Sequence, residues 1–388
     1  MKKIGVFFGN FNPIHLGHTS FLKIARKEYC LDMIYMVAVE NKKEEILNSI
    51  PIEEKRTLCE LAIKNLDYIK LYPENLVEKK DILKILENLK EKYEEVYLVV
   101  GPYFLSELEK VYFLDEIIKI VKVLSLASSK KLSVLKNKYP TVEFKEAKLK
   151  PIQSRKIRIS ISNGKDCSEV LNSLVNKYIQ KQKIFFGKES LFLECYDLCR
   201  QNMSKKRFSH CNFVSKAAQE LAIIYKENEI DAKIAGILHD LMKEKTKEYM
   251  QNIFNTYNFK LNETQKINLK IWHGLAAALY IEHVLEINNH NIVRAVKFHT
   301  VPRKNMSTFE KIIFMADRTS EDRKYKDVDI LRELVKKDLD GAVLYSLKNT
   351  VSSLLKKEST ISTPTIECYN SLILKKMENK NGEKNANK

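Results

Sequence analysis

The apolar positions of this chain change period part-way along it. Residues 3–9 (KIGVFFG), 32–39 (DMIYMVAV), 94–100 (EEVYLVV), 120–127 (IVKVLSLA) and 141–145 are short, β-branched and aromatic runs of the kind that form buried strands. Helical spacing lies between them, at 16–28, 53–66, 79–92 and 129–138. Strands alternating with helices predict an α/β doubly wound parallel sheet. A linker is expected near 180–190, and after it the strand signal ends. Helical spacing alone continues, at 191–202, 208–228, 232–242, 244–256, 267–286, 291–299, 308–318 and 328–356. Asp231 reads as an N-cap for the stripe Ile234, Ile237, Leu238 and Leu241, and Ser307 with Glu310 forms a capping box. The last residues, MENKNGEKNANK, carry no apolar periodicity. The expected organisation is an α/β domain over 1–186, an all-α domain over 187–376 and a disordered basic tail over 377–388.

Composition narrows the class without changing this picture. The 388 residues are 44% hydrophobic and 30% charged, as in a globular protein of two domains. No apolar run approaches the ~20 residues that cross a bilayer. The opening MKKIGVFFGNFNP turns to Gly, Asn and Pro too soon for a signal peptide. Seven cysteines form neither a CxxC pair nor a dense framework, which predicts reduced thiols and a cytoplasmic location. The net charge of +17 is mostly lysine dispersed along helix faces and points to phosphate-bearing small substrates. Neither a nucleic acid nor a membrane is expected as a partner, and homo-oligomerisation stays open.

Two stretches carry chemistry. The loop after the first strand, GNFNPIHLGH, sets His15 and His18 three apart at a helix start, where free N–H groups and the helix dipole favour phosphate. Gly9 and Gly17 allow close backbone approach, and Pro13 stiffens the turn. In the helical half, single histidines recur in local motifs: RFSH at His210, LHD at His239 and Asp240, WHG at His273 and KFHT at His299. Asp317 is a carboxylate inside the apolar helix EKIIFMADR and needs a counter-charge. Metal is the economical explanation for so many imidazoles and carboxylates in one helical domain, whereas His283 and His290 read as structural.

The first stretch resembles the nucleotidylyltransferase signature G-G-[ST]-F-[DN]-P-x-H-x-G-H. With PIQSRKIRISISNG near the domain's end, it is similar to bacterial nicotinate-mononucleotide adenylyltransferases. The resemblance implies transfer of AMP from ATP, with Mg²⁺, to nicotinate mononucleotide, and release of pyrophosphate. Gly9, Asn10 and Phe11 would line the ATP site, His15 and His18 would hold the triphosphate, and Ser154 and Arg158 would bind phosphates from the other side. The sequence departs from the family at several points. Asn10 stands for Thr or Ser, GPY at 101–103 for a Gly-Ala-Asp turn, and Ser154-Arg155 for Ser-Thr. ENKKEE replaces a Pro-Pro-His-Lys segment, with Lys42 or Lys43 left to supply its charge, and LSLASSKK lacks an arginine. A different acceptor, or a domain that binds nucleotide without catalysis, is therefore the alternative.

The second stretch resembles the HD phosphohydrolase superfamily. The agreement extends through STFEKIIFMADRTSEDR, VDILRELVKKDLDGAV and ISTPTIECYN to the bacterial family that cleaves diadenosine tetraphosphate symmetrically to two ADP. The resemblance implies a first divalent metal on His210, His239, Asp240 and Asp317. A second would sit on His273 and His299, with Asp240 bridging, and iron or manganese is the expected ion. Lys243, one turn beyond Asp240, would neutralise substrate phosphates, with Arg207, Arg303 and Arg323 as further polyphosphate contacts. SEDR stands where the family often has Glu-Pro-Gly-Arg.

Overall fold

The structure is a computed structural model describing residues 2–39, 47–73, 79–102, 104–105, 108–109 and 114–386. The chain forms two compact units, Met1–Phe186 and Gly187–Lys388. Lys42, Lys43 and Tyr103 lie outside the described residues.

In the first unit, strands β1 (Lys3–Gly9), β2 (Met33–Ala38), β3 (Ile69–Leu71), β4 (Glu95–Val100), β5 (Lys122–Ala127) and β6 (Val142–Glu146) make one parallel sheet of order β3-β2-β1-β4-β5-β6. Its helices are α1 (Leu16–Tyr29), α2 (Ile52–Ile63), α3 (Lys79–Lys92), α4 (Leu114–Ile120), α5 (Ser129–Lys138), α6 (Ser154–Ser162) and α7 (Ser173–Gln182). The two-residue period of β1 divides its side chains between two cores. Ile4, Val6 and Phe8 enter one; Phe7 packs with Phe11, Phe21 and Leu22 in the other. The order reverses between β1 and β4, and the β1–α1 loop follows β1 at that switch point, the place where parallel sheets of this kind bind ligands. Strand β3 is not foreseen from the sequence because three residues are too short to show a period.

The second unit is helical: α8 (Gly187–Asn202), α9 (Lys205–Ile224), α10 (Glu229–Leu238), α11 (Lys247–Thr256), α12 (Glu263–Ile267), α13 (Trp272–Leu279), α14 (His290–Phe298), α15 (Thr308–Thr319), α16 (Val328–Lys337), α17 (Leu339–Lys356) and α18 (Thr363–Ala386). Helix α10 packs tightly on α9: a Cβ on Gly236 would lie 2.7 Å from Ser215 Cα. The Ser307–Glu310 capping box opens α15, with Glu310 also buried against Arg303 and Arg294.

Several sequence expectations change here. Asp231 is not an N-cap; Asn228 accepts its N–H at 2.9 Å and starts the helix three residues earlier. The Asp231 carboxylate is instead buried and bound by Lys188 and Asn289. The single helix expected over 328–356 breaks at Asp338, whose backbone is extended (φ −145°, ψ 95°) and whose carboxylate caps Gly341 N–H. The stretch 267–286 divides into a 3₁₀ turn, α13 and a π turn over Tyr280–Val284. Helix α18 runs to Ala386, so residues 377–386 continue it rather than lacking regular structure. Lys, Glu and Ala carry good helix propensity even without an apolar stripe. Among the described residues, no helix is long and apolar enough to cross a membrane.

Candidate functional site

In the first unit the β1–α1 loop presents its histidines as a stacked pair. The His15 and His18 rings lie 3.7 Å apart, and His18 Nδ1 accepts the His15 backbone N–H at 3.2 Å. Gly17 makes room for this, since a Cβ there would lie 2.9 Å from His15 Nδ1. Burial pushes His15 down to about 4; burial and then the neighbouring His15 hold His18 well below its ordinary value. Both rings are therefore neutral at pH 7 and would meet phosphate as hydrogen-bond donors rather than as cations. His15 Nδ1 is buried with no partner among the described residues.

The helical motif assigned to phosphate braces this loop. Arg158 is buried on α6 and donates to the Asn12 carbonyl, and Ser154 Oγ donates to the Pro13 carbonyl at 3.2 Å. Phe11 is buried with φ 46°, and Gly9 ends β1 directly before the loop. Asn10 Oδ1 accepts from Lys55, a buried lysine on α2 that no local sequence motif marks. Its only signal was a cation within a helix stripe.

The second unit brings its imidazoles and carboxylates to one buried point. His210 comes from α9, His239 and Asp240 from the end of α10, His273 from the first turn of α13, His299 from the end of α14 and Asp317 from α15. Two groups of potential ligand atoms form, His210–His239–Asp240 and Asp240–His273–His299, with Asp240 in both. Asp317 Oδ1 lies 3.1 Å from His210 Nε2 and 3.7 Å from His239 Nε2. Asp240 Oδ1 lies 3.1 Å from His273 Nε2 and 3.7 Å from His299 Nε2. His239 Nε2 and Asp240 Oδ1 are nevertheless buried without a hydrogen-bond partner among the described residues. These two orphaned atoms, on adjacent residues at the end of α10 and surrounded by side chains from α9, α13, α14 and α15, fit a divalent metal.

The electrostatics agree. Burial alone would raise the Asp240 carboxyl, but His239 and the imidazoles of His273 and His299 hold it well below the usual carboxylate range. Asp317 is likewise held down, against burial, by His210, His239 and Arg323. His239 is pushed up against burial by Asp240 and Asp317, whereas burial lowers His299 and takes His273 to about 4.

The basic residues are placed unevenly. Arg207 Nη1 meets Asp240 Oδ2 at 2.6 Å, and Arg323 donates to Asp317. Helix α10 ends at Leu238, so Lys243 sits in a turn rather than on a helix, with Nζ 3.3 Å from His273 Nε2. Arg303 lies on Glu310 instead of at the centre. Two residues absent from the sequence reading join the site. Thr300 Oγ1 stands 2.9 Å from His299 Nε2, and Asp322 Oδ2 meets His210 Nδ1 at 2.7 Å. Thr300 follows His299 directly; Asp322 had no local signal.

A parallel sheet with a phosphate-type loop at its switch point and a helical unit built round an imidazole–carboxylate centre define a nucleotidyltransferase-like domain followed by an HD domain. The Cytidylyltransferase-like family model matches residues 6–159 and the HD domain model matches residues 207–322. A bis(5'-nucleosyl)-tetraphosphatase, symmetrical, of Halalkalibacterium halodurans is 33% identical over 179 residues, 46% of this chain and 94% of that protein. Over its helical unit the chain belongs to the family of symmetrical bis(5'-nucleosyl)-tetraphosphatases. A Mycoplasma genitalium protein named "Probable nicotinate-nucleotide adenylyltransferase/Ap4A hydrolase" aligns across both units, 26% identical over 359 residues, 89% of this chain and 97% of that protein. A solved Clostridium acetobutylicum protein described as a "predicted HD superfamily hydrolase involved in NAD metabolism" is 35% identical, with a TM-score of 0.46, over 47% of this chain and 96% of that chain.

Proposed function

We propose that the chain is a bifunctional enzyme of adenylylated nucleotides. The first unit transfers AMP from ATP to nicotinate mononucleotide, and the second hydrolyses diadenosine tetraphosphate to two ADP. The observation that carries the second half is Asp240, shared by two groups of imidazoles, with its Oδ1 and the neighbouring His239 Nε2 buried without a hydrogen-bond partner among the described residues. His210, His239, Asp240 and Asp317 would hold one divalent cation, and Asp240, His273 and His299 a second. Iron or manganese at such ligands supplies Lewis-acid charge to phosphate oxygens and acidifies water. Hydrolysis places the water oxygen on a phosphorus at the middle of the tetraphosphate, and the bridging P–O bond breaks to release ADP on each side. No side chain serves as nucleophile. Lys243, Arg207 and Arg323 would offset the phosphate charge, each already within reach of a ligand residue.

For the first unit, the acceptor phosphate oxygen attacks the α-phosphorus of ATP, and the bond to the β-phosphate breaks as pyrophosphate leaves. Positioning and charge stabilisation dominate such a reaction. The neutral His15 and His18 donors, the backbone of Gly9, Asn10 and Phe11, and Mg²⁺ carried with ATP would meet the developing charge. Seven free cysteines support a cytoplasmic setting. Incubation with ATP, Mg²⁺ and nicotinate mononucleotide tests the transferase; the expected product is nicotinate adenine dinucleotide.

A second reading of the first unit is favoured by Ser154 and Arg158, which brace loop carbonyls. In that reading the unit binds nucleotide without this transfer, or serves another acceptor. ATP binding without dinucleotide formation across an acceptor panel would select it.

A further inference from the structure

The imidazoles of the HD centre differ in what fixes their rings. His239 and His299 follow the last residues of α10 and α14, and each directs Nδ1 at the carbonyl three residues back. Those carbonyls, Gly236 O and Val296 O, both lie at 2.7 Å. A carbonyl only accepts, so Nδ1 carries the proton and Nε2 keeps its lone pair. His210 has no such terminus, because it lies inside α9, where the backbone carbonyls serve the helix ladder. Its Nδ1 instead meets the carboxylate of Asp322, from a turn 112 residues away, at 2.7 Å.

That turn is held firmly. Ser320 Oγ donates to Asp322 Oδ1 at 2.7 Å, and Arg332 on α16 binds the carbonyls of Thr319, Ser320 and Arg323 at 2.8–3.0 Å. On the other side of the ring, Nε2 lies 3.1 Å from Asp317 Oδ1, itself a candidate ligand, and 3.3 Å from Arg323 Nη2, a group that can only donate. His210 Nε2 thus points at Asp317, His239 and Asp240 with Nδ1 engaged behind it.

We infer that Asp322 is a positioning residue of the metal centre. Its carboxylate accepts the hydrogen bond of His210 Nδ1–H, fixes the tautomer and ring orientation, and readies Nε2 to bind a divalent cation together with His239 and Asp240. This rests on the metal reading given above. An anionic partner behind a ligating imidazole also raises its basicity, and loss of such partners weakens metal affinity by roughly ten- to a hundredfold.

The test is Mn²⁺ titration of the full chain after chelator stripping, with free Mn²⁺ read by electron paramagnetic resonance. Wild type, Asp322→Asn and Asp322→Glu are compared, and Trp272 fluorescence in urea monitors folding of the helical unit. The expected result is two ions in wild type and selective weakening of one, roughly ten- to a hundredfold, in Asp322→Asn. Asp322→Glu should recover much of the loss, and the urea midpoints should stay together. Equal Mn²⁺ affinity in Asp322→Asn and wild type overturns the inference. So does parallel weakening of both ions with a lowered midpoint, which would make Asp322 a structural residue. Wild type that binds no Mn²⁺ removes the metal reading and this inference together.

Discussion

Asp240 Oδ1 stands 3.1 Å from His273 Nε2, yet both lie in the core and that oxygen has no hydrogen-bond partner among the described residues. Because Asp240 also belongs with His210 and His239, its removal should act on both ion sites at once. Asp240→Ala is expected to retain neither ion, whereas His273→Ala retains the ion on the His210 side. Elemental analysis of metal-loaded, desalted protein decides this. Asp240→Ala holding as much metal as wild type would refute the shared role.

Arg207 should act on substrate rather than on metal content. Its Nη1 lies 2.6 Å from Asp240 Oδ2, at the rim of the centre. Arg207→Ala is expected to lower kcat/KM for diadenosine tetraphosphate roughly ten- to a hundredfold, or about 1.4–2.8 kcal/mol, the scale of a charge-assisted contact. Metal content should be unchanged, as steady-state kinetics paired with metal analysis would show.

Buried neutral histidines tie the first unit to pH. His15 is lowered to about 4 in the fold against 6.5 for the free side chain, with burial the leading cause. Above pH 6.5 both folded and unfolded chains carry it neutral, and its contribution is complete. As pH falls through 6.5 the unfolded chain takes up the proton first, so stability is lost progressively down to about 4 and no further below it. The ceiling on this contribution is about 3 kcal/mol. Urea unfolding at pH 7 and 4.5, followed by circular dichroism, should show a steeper loss in wild type than in His15→Asn. Equal pH slopes would contradict it.

Gly236 couples packing to the metal centre. A Cβ there would press on the backbone of Ser215, and the Gly236 carbonyl orients His239 at 2.7 Å. Gly236→Ala should destabilise the helical unit by about 1–3 kcal/mol, as overpacking does. Trp272, the one tryptophan in the chain, lies in this unit and reports the shift by fluorescence.

What the sequence made legible follows the range of the interactions. The parallel sheet shows in the apolar runs because each strand of five or more residues displays its own period; β3, at three residues, does not. His210, His239, His273 and His299 stand out because each sits in a local motif, and the fold gathers them. Asp322 contacts His210 across 112 residues, and nothing near either residue signals the pairing. The same limit applies to Lys55, which meets Asn10 from 45 residues away. Asp231 misleads for a different reason. An aspartate before an apolar stripe resembles a cap, but Asn228 occupies that position and the carboxylate turns inward to Lys188. Ser154 and Arg158 suit phosphate chemically, and only the tertiary structure reveals that their donors reach the Pro13 and Asn12 carbonyls.

Product analysis of diadenosine tetraphosphate, incubated with the metal-loaded full chain, distinguishes symmetrical hydrolysis at the Asp240 centre from any other cleavage. ADP is expected as the sole product, two per substrate consumed, with turnover lost on chelation and in Asp240→Ala. Release of ATP with AMP, or cleavage that persists undiminished in Asp240→Ala, would contradict it.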